Sequence, residues 1–136
     1  MIQRIQSVWL TVATIITFIT LKVSFYSGTY LPDNQYHQLN GTDNMGLMII
    51  TIALGMLSLI NIFLFKTRII QLRLCIVAIL LDSLLIFLYY RATQDFTQGE
   101  YAIAASSHVI IILALCLAAR GINKDEKLIK ESNRLR

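Results

Sequence analysis

Leu74–Tyr90 reads LCIVAILLDSLLIFLYY, seventeen residues of nearly unbroken hydrocarbon with one carboxylate, Asp82, at the centre. In water a carboxylate midway along such a run is odd but costs little. At the centre of a membrane helix it costs about 3 kcal/mol, so it normally faces protein and has a partner. The run is long enough to span a bilayer, and the rest of the chain reads as its companions.

Three further blocks, Ile5–Phe25, Met45–Phe65 and Tyr101–Ala119, also fall in the length range of a membrane helix, about 17–25 residues. Apolar residues make up 56% of the 136 and mean hydropathy is +0.63, but the excess comes in blocks and is not spread periodically as in a soluble core. In lipid only helices and closed barrels satisfy every backbone group, and these blocks are too continuous for barrel strands. The first block has one arginine before it and no small-residue cleavage site after it, so it reads as a retained helix and not a signal peptide. The expected fold class is an all-α membrane protein, a four-helix up-down antiparallel bundle forming one domain over residues 1–136.

Basic residues orient this bundle. Lys66, Arg68 and Arg73 crowd the short connection between the second and third blocks. Arg120, Lys124, Lys127, Lys130, Arg134 and Arg136 lie in the tail, and Arg4 precedes the first block; only Lys22 and Arg91 fall on the other side. Short loops rich in Lys and Arg stay cytoplasmic, which puts both termini inside. The net charge of +4 is thereby a topology signal, and no nucleic-acid partner is inferred. All six tyrosines fall in or beside the outer loops, as an interfacial aromatic belt would.

Within the blocks, Thr11, Thr14, Thr17 and Thr20 suit back-bonding or helix packing better than a pore lining. Thr51, Gly55 and Ser58 form a small-residue stripe that lets backbones approach, and Asn61 suits a bond to a neighbouring helix. Gln71, Cys75, Ala78, Asp82 and Tyr89 share one face of the third helix. Ala104, Ser107, His108, Ile111, Leu115 and Ala118 share one face of the fourth. Residues 26–44 and 91–100 read as polar outer loops. Cys75 and Cys116 both lie near cytoplasmic helix ends, so no structural disulfide is expected. His37 and its neighbouring aspartates lack metal-ligand spacing, and no metal or cofactor is expected. The tail, residues 120–136, has Glu126 and Lys130 in the favourable i, i+4 order and reads as a charged helix after a bend at Gly121.

The chain also resembles a known family at its cytoplasmic segments. It opens Met1-Ile2-Gln3-Arg4-Ile5-Gln6, carries Phe65-Lys66-Thr67-Arg68 and Gln71-Leu72-Arg73-Leu74-Cys75 between helices, and closes with Lys124-Asp125-Glu126-Lys127-Leu128-Ile129 and Asn133-Arg134-Leu135-Arg136. These segments resemble an uncharacterised family of small four-helix inner-membrane proteins of Bacteroidota, a domain of unknown function. The resemblance implies a bacterial inner membrane and no activity, cofactor or catalytic residue.

The functional expectation is a non-catalytic accessory or assembly subunit of a larger inner-membrane complex, touching lipid and other membrane proteins or a second copy. Its candidate partner or lipid contacts are Lys66, Arg68, Arg73, Lys124, Lys127, Lys130, Arg134 and Arg136. The alternative is a small proton-coupled transporter that uses Asp82 and His108. Counted from the outer helix ends at 1.5 Å per residue, Asp82 and His108 lie at the same depth, roughly 10–12 Å below the interface. They are expected to meet as a buried pair, with Ser107 and Thr17 as further hydrogen-bond partners. As a polar clamp the pair would fix helix register; as a relay it would exploit the near-neutral titration of histidine.

Overall fold

The computed structural model describes the backbone of residues 2–134 and the side chains of residues 5–132. Four helices dominate: α1 (Ile2–Thr20), α2 (Met45–Phe63), α3 (Arg68–Thr93) and α4 (Ile103–Arg134). Three of them, over Met45–Phe63, Arg68–Thr93 and Ile103–Ser132, are long and apolar enough to cross a membrane, while the apolar part of α1, Ile5–Thr20, is shorter. The helices pack in a ring in which α1 touches α2 and α4, and α3 touches α2 and α4.

Two departures from the sequence expectation shape the end of the bundle where α1 stops and α4 begins. α1 stops at Thr20 and does not run on to Phe25. Its last hydroxyl, Thr20 Oγ1, donates back to the Thr17 carbonyl, and the chain leaves through turns at Leu21 and Lys22. The expected loops are strands, so the fold is mostly helical with a small sheet and not purely α. β1 (Tyr26–Tyr30) and β2 (Gln35–Leu39) form an antiparallel hairpin, and β3 (Phe96–Tyr101) pairs antiparallel on the other side of β1, giving the order β2-β1-β3. The β1–β3 crossing is close because two glycines face each other: a Cβ on Gly99 would stand 2.5 Å from the Ser27 carbonyl oxygen and from the Tyr26 ring. The register shifts beside Gly28, where Gln98 takes φ 53 as the extra residue of a bulge.

The small-residue stripe of α2 does what its spacing predicts. Thr51, Gly55, Ser58 and Asn61 are all buried, and the Phe18 ring of α1 sits where a Cβ on Gly55 would be, 2.9 Å from that position. Gly121 plays the same part on α4 and marks no break in the helix. Its missing Cβ would lie 2.8 Å from Gln6 Cγ, so α1 crosses α4 at that point and α4 continues to Arg134. Helix ends are tied locally. Asn44 caps α2 by accepting from the Gly46 N–H at 2.9 Å, and the Gln71 amide donates at 3.1 Å to the Asn61 carbonyl in the last turn of α2.

Candidate functional site

Helix 3 buries Gln71, Cys75, Ala78, Asp82, Leu85, Tyr89 and Thr93 along one face, the face that its spacing marks out. Asp82 and His108 have no exposed surface, and His108 Nδ1 lies 2.7 Å from Asp82 Oδ1. The structure thus brings together the two side chains that equal depth on neighbouring helices pairs. With the carboxylate accepting, Nδ1 carries the proton and Nε2 is left as the free ring nitrogen. Asp82 Oδ2 and His108 Nε2 have no hydrogen-bond partner among protein atoms. Ser107 and Thr17 do not join the pair. Ser107 Oγ donates to Ile103 O and Thr17 Oγ1 to Ala13 O, each within its own helix. Thr11 and Thr14 bond back in the same way, so the threonines of α1 spend their protons on their own helix.

Two aromatic rings close the pair on the side of the sheet: Tyr89, which shares the Asp82 face of α3, and Phe25, which neither residue type nor spacing singles out. Phe25 stacks on Tyr89 with ring centroids 4.3 Å apart, and both rings contact His108, at 5.8 and 5.4 Å. Phe25 is held by backbone on both sides. Its N–H donates to Leu39 O at 2.8 Å, and its carbonyl accepts from Ala102 N–H at 2.9 Å. The sheet thus sets the position of the lid. Tyr89 is fully buried, and its hydroxyl oxygen lies 2.8 Å from where a Cβ on Gly41 would be.

A second polar layer joins α2 to α3, where Asn61 Nδ2 donates to Cys75 Sγ at 3.1 Å. A third ties the other end of the bundle. Gln6 Nε2 donates to Asp125 Oδ2 at 2.7 Å, Arg68 Nη1 donates to Gln6 Oε1 at 2.8 Å, and Arg68 stands 3.5 Å from the Asp125 carboxylate. The arginine and aspartate side chains are each only 10% exposed. Among the residues expected to face a partner or lipid, Arg68 is thus engaged inside the protein. Lys66, Arg73, Lys124, Lys127 and Lys130 are exposed, with Lys130 2.6 Å from Glu126; the side chains of Arg134 and Arg136 lie outside the described residues. Among the described residues no group of three or more His, Cys, Asp or Glu side chains is placed to hold a metal ion.

The fold and its polar interior define a membrane-compatible helical protein whose central ionisable pair is sealed between helices. Residues 2–135 match the family described as Domain of unknown function (DUF4293), and the chain belongs to that family. Neither a curated protein nor a solved structure matches it.

Proposed function

We propose that this chain is a non-catalytic integral membrane protein of a bacterial inner membrane, as its resemblance to proteins of Bacteroidota suggests, and that it serves as an accessory or assembly subunit of a larger complex. The observation that carries this reading is the sealed state of Asp82 and His108. Both have no exposed surface, they bond to each other, and a stacked Phe25–Tyr89 pair lies against the imidazole. A carrier needs its carboxylate to meet water from each side in turn; a clamp needs it only to meet its partner.

An up-down arrangement with both termini cytoplasmic is the topology we assign. Gln6, Arg68 and Asp125 meet at one end, and Phe25, Tyr89 and His108 at the other. These contacts support α1 and α3 running one way and α4 the other. The Asn61–Cys75 and Gln71–Asn61 contacts, across a four-residue turn over 64–67, support α2 running opposite to α3. That turn holds Lys66 and sits beside Arg68 and Arg73, the short basic loop that stays inside.

Proton-coupled transport is the second reading, favoured by the unpartnered Asp82 Oδ2 and His108 Nε2. Purification in mild detergent, followed by proton-flux measurement on reconstituted vesicles, separates the two. The expected result is a partner protein at fixed stoichiometry and no flux above that of empty vesicles. A lone homodimer with a proton flux that Asp82→Asn abolishes while the protein remains folded would overturn the accessory reading.

A further inference from the structure

One groove lies outside these polar layers, between the start of α3 and the tail of α4. It measures about 550 Å³, within the range of ligand clefts, and its lining includes Lys66, Thr67, Ile69, Ile70, Ile129 and Lys130. Ile69, Ile70 and Ile129 are each about half exposed, an apolar floor at the end of the bundle where the chain turns basic. The charged residues around it are unevenly compensated. Arg68 is engaged with Asp125, and Glu126 with Lys130 at 2.6 Å, whereas Lys66 makes no ion pair among the described residues. Thr67 precedes α3 without a side-chain cap bond, so the positive end of a 26-residue helix opens on the same groove.

An apolar floor beneath a net positive rim fits a molecule with a negative head and a hydrocarbon body. We propose that this groove binds an anionic phospholipid of the cytoplasmic leaflet. The phosphate lies at Lys66, beside the open start of α3, and the upper acyl chain lies on Ile69, Ile70 and Ile129. The proposal rests on the membrane reading above and on the assignment of this end to the cytoplasm. An acidic protein segment or a second copy of the chain would find the isoleucines but not the lipid phosphate, and the test separates them.

Full-length protein in detergent is incubated with an equal mixture of phosphatidylglycerol and phosphatidylcholine carrying the same acyl chains, and bound lipid is read by native mass spectrometry. Wild type should retain phosphatidylglycerol in preference. Lys66→Gln should lower that preference by about fivefold, the effect of one lysine near an anionic lipid surface. Lys66→Arg should restore it, and Lys22→Gln, at the opposite end, should leave it unchanged. Equal retention of both lipids, an unchanged preference in Lys66→Gln, or a dimer whose formation depends on Ile69 and Ile129 in place of bound lipid would each overturn the site. Carbonate extraction of native membranes checks the underlying reading separately. A protein that stays in the membrane yet shows no lipid preference refutes only the groove, and one that is released refutes both.

Discussion

Asp82 and His108 show why a buried pair in this setting is better judged by what its loss leaves behind than by its own strength. Side-chain hydrogen bonds between membrane helices average only about 0.6 kcal/mol by double-mutant cycles. Stranding one buried polar group costs more, about 1–3 kcal/mol. Each half of this pair already carries one unpartnered atom, Asp82 Oδ2 and His108 Nε2, so removing the shared 2.7 Å bond leaves the survivor without any side-chain partner. We expect Asp82→Ala and His108→Ala each to destabilise the protein by that amount in detergent, and the double mutant to be less damaged than their sum. Unfolding of the four species around the cycle measures the coupling. Additive losses would contradict a direct contact in the folded protein.

Among the elements, the three-stranded sheet is the least expected and the most easily tested. Strand β1 is the centre of that sheet, and through Phe25 it carries the lid over His108. Gly99→Ala places a Cβ 2.5 Å from a backbone oxygen, an obstacle that no side-chain rotation relieves. Overpacking of this kind costs about 1–3 kcal/mol. We expect faster amide exchange in β1 and β3 with helical exchange unchanged; equal exchange in both proteins would show that the close β1–β3 crossing is not held in solution. The sheet escaped the sequence reading for physical reasons. Its strands are five or six residues long, their burial does not alternate cleanly, and β1 pairs with a strand some seventy residues later. Three of the helices were legible because a long apolar run announces itself by composition alone, whereas the composition of Ile5–Phe25 hid the stop of α1 at Thr20. The Asp82–His108 contact was legible because equal depth follows from counting residues along two neighbouring helices. The Gln6–Arg68–Asp125 tie was not: its members lie 62 and 119 positions from Gln6, and nothing local marks a glutamine in the first helix as their partner.

Over the whole molecule, two ties hold the bundle at opposite ends. The sheet, the Phe25–Tyr89 lid and the Asp82–His108 clamp fasten one end, and Gln6, Arg68 and Asp125 fasten the other. The second tie reaches the start of the charged tail at Asp125, and α4 continues beyond it with residues 127–132 exposed. The central claim is that these two ends face opposite sides of a membrane, with the sheet outside and both termini in the cytoplasm. Single cysteines at Asn40, beside the sheet, and at Ser132, in the tail, test it in intact cells with a membrane-impermeant thiol reagent. Wild type, with Cys75 buried and Cys116 on the apolar outer face of α4, sets the background. Labelling is expected at position 40 and not at position 132 until the cells are opened; labelling of position 132 in intact cells with position 40 protected would contradict this topology.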